Sequence, residues 1–213
     1  SHPCTWDIFD PQYDRLVEVY SVWGSSEYYG DVPRGVSDRY RTLDVRDAIR
    51  RGLQFGLIAS ADGHDGHPGN AQSPLWKHHH QFHFCGSGRA AVLAERLTRH
   101  DVWDALYGRR CYATSGPPIE LDVRLDGQWM GSQLPARTDA GPTLTVTVGG
   151  TNALREVRIV KDGAVVHVVP CCGQWRQQVQ WRDDAYDPAR PACYYVRVVQ
   201  ADHESAWSSP IRV

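Results

Sequence analysis

Residues 55–70 read FGLIASADGHDGHPGN. Phe55 to Ser60 is nearly all apolar, the pattern of a strand in a parallel sheet buried on both faces. Asp62, His64, Asp65 and His67 follow it among glycines. A chain leaving the C-terminal end of a parallel strand enters the crevice where such sheets hold ligands. Asp62 and His64 are two apart, so in extended backbone they project to one side. A carboxylate oxygen and an imidazole nitrogen there suit one divalent ion. A solvated glycine-rich loop carries the same residues, and the pair alone leaves both readings open.

Upstream, LVEVYS (Leu16 to Ser21) is a second strand, running into the Gly/Ser/Pro-bearing loop VWGSSEYYGDVPRG. DVRDAIRRG places Val45, Ala48 and Ile49 on one helical face, with acids in the first turn, arginines in the last, and Gly52 at the end. Downstream, GRAAVLAE reads as a strand. LTRHDVWDALYGRR reads as a helix with Thr98 as N-cap, Asp101 three residues on, and Val102, Trp103 and Leu106 on a core-facing stripe. Residues 1–116 therefore read as part of an α/β layer structure. After CYATSGPP the pattern alternates every second residue, with hairpin signals at Asp126-Gly127 and Asp162-Gly163 and further strands in TLTVTV, WRQQVQW, CYYVRVVQ and SPIRV. Residues 117–213 read as a β-sandwich, with Trp175 and Trp181 in its core.

Lys+Arg number 23 against 25 Asp+Glu, for a net charge of −2 spread over both halves. This is not the footprint of a nucleic-acid binder. No apolar run approaches the roughly 18 to 20 residues that cross a bilayer, and SHPCTWDIFD lacks the layout of a secretory signal. The expectation is a soluble chain, cytoplasmic or periplasmic, with neither nucleic acid nor membrane as partner. The six cysteines show no C-x-x-C spacing and read as buried thiols; Cys171 or Cys172 can bridge to Cys193 only if their strands are neighbours.

His2-Pro3, LVEVYS with WGSSE, IRRGLQFGLIASADGHDGHPG and LTRHDVWDALYGRRCYATSGPPIELDVRLDGQWMGS occur in that order. Together they resemble the C-terminal part of a polymerase-and-histidinol-phosphatase (PHP) domain protein, in the carbaryl-hydrolase-like metallohydrolase branch that carries a trailing β-sandwich. The resemblance implies α/β plus all-β architecture: the C-terminal part of a distorted β/α barrel over 1–116, then the sandwich over 117–213. It implies two or three divalent ions (Zn, Mn or Fe) in the complete site. By this resemblance His2, Asp62 and His64 are metal ligands, with Asp62 and His64 also catalytic. Glu18 stands behind the ligands or is structural, and His67 faces substrate or solvent. The substrate would be a small phosphoester, or else a carboxylic or carbamic ester.

The family's domain opens with an H-x-H strand, and none precedes His2. The expectation is a piece of a longer polypeptide, or a chain completed by an N-terminal fragment. His78, His79 and His80 follow the last ligand motif and read as a loop, though six of the ten histidines fall between His64 and His83. Cys85 to Arg89 is two residues too short for a cysteine-phosphatase cradle. Arg109 and Arg110 close a helix, where cations offset its dipole; Arg110 is the candidate for holding an anionic substrate. The leading expectation is a PHP-type metal-dependent phosphoesterase, and the rival is a catalytically incomplete binding protein.

Overall fold

The computed structural model describes residues 5–21, 24–29, 44–61, 88–136 and 141–213. A small sheet comes first: β1 (Leu16–Ser21) pairs antiparallel with β2 (Gly24–Ser25) and parallel with β3 (Gly56–Ala59). Helix α1 (Val45–Arg50) lies between β2 and β3 in the chain. Asp44 caps it by accepting from the Asp47 amide at 2.7 Å, and Val45, Ala48 and Ile49 are its buried face, as the spacing predicts. The chain then passes through β4 (Arg89–Val92), α2 (Arg99–Tyr107) and β5 (Cys111–Thr114).

Antiparallel strands follow: β6 (Glu120–Leu125), β7 (Gln128–Trp129), β8 (Thr143–Gly149), β9 (Leu154–Lys161), β10 (Ala164–Pro170), β11 (Arg176–Arg182), β12 (Cys193–Gln200), β13 (Ser205–Ser208) and β14 (Ile211–Arg212). The β6–β7 and β9–β10 turns hold Asp126-Gly127 and Asp162-Gly163, all four at positive φ, as a tight hairpin requires. One sheet has the order β10-β9-β12-β13-β5-β4, with β14 also on β12; another has the order β11-β8-β6-β7.

Alternation along β12 explains the layering. Tyr194, Val196 and Val198 pack into a core shared with Leu121, Val123, Leu144 and Val146 of the four-stranded sheet. Cys193 and Tyr195 point the other way, into a second core with Val19, Tyr20, Leu57 and the apolar face of α1. The seven-stranded sheet is thus sandwiched between the four-stranded sheet and the small β1–β2–β3 layer, and all eight residues of β12 are buried.

The α/β barrel expected of residues 1–116 is overturned. Fourteen strands and only two short α-helices are present among the described residues, and parallel pairing between strands is confined to β1 with β3. β4 and β5, on the N-terminal side of the 116/117 boundary, pair antiparallel with each other, and β5 pairs with β13, so both belong to the large sheet. The reason is that an apolar strand reads alike whether helices or a second sheet cover it. The stripe on α2 is also corrected: Ala105 is its buried residue, while Trp103 is 65 % exposed and stacks on Tyr107 one turn away. Trp175 is 58 % exposed. Cys111, Cys171, Cys172 and Cys193 are free thiols; Cys171 follows β10 and Cys193 opens β12, with β9 between those strands.

Ile159 is fully buried between the two large sheets, whereas Val168 on the edge strand β10 is about half exposed. In urea titrations Ile159→Ala is expected to lower unfolding free energy by about 2–5 kcal/mol, and Val168→Thr to change it by no more than ~0.5 kcal/mol.

Candidate functional site

The parallel pair sets Leu16 against Gly56, Val17 against Leu57 and Glu18 against Ile58, then slips at a bulge so that Tyr20 opposes Ala59. Bulges re-aim side chains at the ends of strands. Here the Glu18 side chain is exposed and its carboxylate accepts a short hydrogen bond from the Ser60 hydroxyl, one residue past β3. The Ser60 amide donates to Tyr20 O at 3.1 Å, and the Ser26 hydroxyl donates to Glu18 O at 3.0 Å. The C-terminal edge of β1 and β3 is therefore held from both strands, and Asp62 follows Ser60 by two positions. Gly88 returns to the same place: a Cβ there would lie 2.6 Å from Ala59 Cβ and 2.8 Å from Tyr20 O. Ala61 and Gly88, which flank residues 62–87, thus both sit at this edge.

Asp62, His64, His67 and His2 lie outside the described residues, as do His78, His79, His80 and His83. Among the described residues no three His, Cys, Asp or Glu side chains converge in a way that could hold an ion. A donor set of Asp62, His64 and His2 mixes carboxylate oxygen with imidazole nitrogen, a combination suited to zinc, manganese or iron. Arg110 is described, and the structure does not bring it to Glu18: its neighbour Arg109 abuts Gly56, which opens β3, while Ser60 follows the strand's other end.

A second carboxylate, which the loop reading of VWGSSEYYGDVPRG passes over, is the most enclosed charge described. Glu27 is 0 % exposed. Its Oε1 accepts from Arg46 Nη2 at 2.9 Å and from the Tyr195 hydroxyl at 2.7 Å; its Oε2 accepts from Arg197 Nη1 at 2.7 Å and from Trp207 Nε1 at 2.7 Å. Burial alone would raise its pKa, but the charges of Arg197 and Arg46 and the Trp207 and Tyr195 hydrogen bonds outweigh that, leaving it below its ordinary value. Burial, and then the charge of Glu27, push the Tyr195 hydroxyl well above the usual phenol range. With both oxygens filled by protein donors, Glu27 is a structural clasp between the small layer and the large sheet. No local pattern could have found it, since Tyr195 and Trp207 lie 168 and 180 residues away.

A family model described as "Protein of unknown function (DUF3604)" matches residues 45–139, from α1 to beyond β7. An uncharacterized protein of Chlamydia pneumoniae is 30% identical over 239 residues, covering 100% of this chain and 36% of the relative. Uncharacterized proteins of Chlamydia muridarum and Chlamydia trachomatis are each 28% identical, covering 98% and 95% of this chain and 36% and 35% of their own lengths. The chain thus spans about a third of the curated relatives it matches. No solved structure matches it. No helix among the described residues is long and apolar enough to cross a membrane.

Gly88→Ala forces a methyl group into Ala59 and the Tyr20 carbonyl and is expected to cost about 1–3 kcal/mol, measurable by chemical denaturation. Glu27→Gln leaves Arg46 and Arg197 without their carboxylate and is expected to cost about 3–5 kcal/mol. The acid limb has a definite sign. Because the folded pKa of Glu27 lies below its ordinary value of 4.5, its stabilisation is complete above pH 4.5 and is lost as pH falls through the folded pKa. Unfolding free energies measured from pH 7 down to pH 3 should therefore fall less steeply for Glu27→Gln than for the parent; parallel curves would refute the assignment.

Proposed function

We propose that the protein is a metal-dependent hydrolase of PHP type, acting on a small phosphoester at the C-terminal edge of β1 and β3. The observation that carries this reading is the Ser60 hydroxyl bonded to the Glu18 carboxylate, with the D-x-H pair Asp62 and His64 beginning two residues later. Asp62 and His64 hold the ion together with His2, and further ligands come from the remaining length of a protein built like the relatives. A bound divalent ion supplies a water of lowered pKa and a Lewis acid toward the scissile group. Asp62 positions that water or takes its proton, and His67 contacts the substrate. Glu18 and Ser60 fix where the chain leaves the sheet, so that the segment carrying Asp62 and His64 starts from one place. A carboxylic or carbamic ester is the alternative substrate.

Metal content of the purified protein, by plasma mass spectrometry, and hydrolysis of bis(p-nitrophenyl) phosphate together test the reading. His64→Ala is expected to retain the fold, lose metal and lower the rate by about 100-fold or more. Protein that retains no transition metal and is inactive with added Zn, Mn or Fe would leave the rival reading, a binding protein built around the sandwich.

A further inference from the structure

Three arginines from distant parts of the chain meet at the opposite end of β1 and β3 from Glu18. Arg15 immediately precedes β1, and its carbonyl accepts from the Gly56 amide at 2.8 Å. Arg109 follows α2, and its Cβ would lie 3.0 Å from a Cβ placed on Gly56. Arg212, on β14, donates from Nη2 to Leu53 O at 2.5 Å. The run from Gly56 to Ser60 separates this place from the Glu18 edge by roughly 13 Å at 3.3 Å per residue.

Each guanidinium is held by carbonyl groups rather than carboxylates. Arg15 donates through Nε and Nη2 to Tyr107 O at 3.0 and 2.7 Å and through Nη1 to Pro11 O at 2.9 Å, with its Cζ 4.2 Å from the centre of the Tyr107 ring. Arg109 donates through Nε to Gly131 O at 3.0 Å. Among the described residues none of the three forms an ion pair with an acidic side chain. Arg109 and Arg212 line an open cleft of about 200 Å³, solvent included, together with Gln54, Ser132 and Gln133.

The cleft is built at a conformational cost. Arg109 sits at φ 61°, a region an L side chain rarely adopts. Gly131, at φ 84°, lies so close that a Cβ would be 2.2 Å from Arg109 O. That approach turns Gly131 O onto Arg109 Nε and leaves both Nη groups of Arg109 without a hydrogen-bond partner among the described residues. Burial, and then the charges of Arg15 and Arg212, lower the Arg109 pKa, so the cations are packed against their mutual repulsion.

We propose that this cleft binds a phosphate-type oxyanion, gripped by the paired Nη groups of Arg109 and by Nη1 of Arg212, with Arg15 adding charge from the rim. Planar guanidinium groups meet tetrahedral oxyanions through paired N–H donors, which lysines cannot reproduce. An anion there relieves the repulsion that the fold otherwise tolerates. The inference is independent of the hydrolase reading, which concerns the other end of the strands.

Thermal unfolding in 10 mM inorganic phosphate, against sodium chloride of equal ionic strength, tests it. The parent protein should gain about 3 °C in Tm in phosphate over chloride, as binding at millimolar affinity requires. Arg109→Gln should lose that gain, while its Tm in chloride stays within about 2 °C of the parent because a repulsive charge has gone. If Arg109→Gln does not fold, Arg212→Lys reads the same quantity, since it keeps a donor for Leu53 O but loses the separate Nη1 donor, and the phosphate gain should shrink. Equal Tm values of the parent in phosphate and chloride would overturn the proposal. So would a gain that survives in whichever of the two variants folds.

Discussion

One carboxylate with four donors fastens the outer layer of this protein to its large sheet. Glu27 lies in the turn after β2; Arg46 lies on α1, and Tyr195, Arg197 and Trp207 lie on β12 and β13. A charge this deep is tolerable only when each oxygen is satisfied and opposite charge is near. Both conditions hold, with two guanidinium groups, a phenol and an indole around it. Because the partners come from three separate elements, α1, β12 and β13, the cluster can assemble only when layer and sheet are already in register. It therefore specifies one docking of the small layer over others.

From that docking follow the burial of β12 and β13 on both faces and the position of the candidate site. Tyr20 stacks on Trp207 with ring centres 5.6 Å apart, directly beside the indole that serves Glu27. Val19 and Leu57, fully buried in the same core, hold β1 and β3 in their parallel pairing. The C-terminal edge that carries Glu18 and Ser60 is thus anchored from beneath by the sandwich, although only three strands make up its own sheet.

Much local structure was legible in the residues. Thr98 caps α2 through a bond from the amide three positions on, and Asp126-Gly127 and Asp162-Gly163 turn their hairpins. That FGLIAS is a strand in parallel pairing was legible too, because an unbroken apolar strand needs cover on both faces, although its partner LVEVYS emerged only from the fold. What covers it was not. The helices of a barrel and the strands of a sandwich impose the same apolar pattern, so GRAAV and CYAT read as continuing the α/β half although they are strands of the large sheet. Of the candidate site, the exposure of Glu18 and its bond from Ser60 needed coordinates, since they depend on the bulge between Glu18 and Tyr20.

The sequence by itself determined the kinds of element and where most of them stop, because capping, turn geometry and alternation act between residues a few positions apart. Only the tertiary structure decided which sheet each strand joins, which charges are buried and which arginines share a cleft. Glu27 with Trp207, Gly56 with Arg109 and Leu53 with Arg212 are contacts between distant parts of the chain. Nothing in the spacing of their neighbours marks them out, because each is chosen by the packing of whole layers.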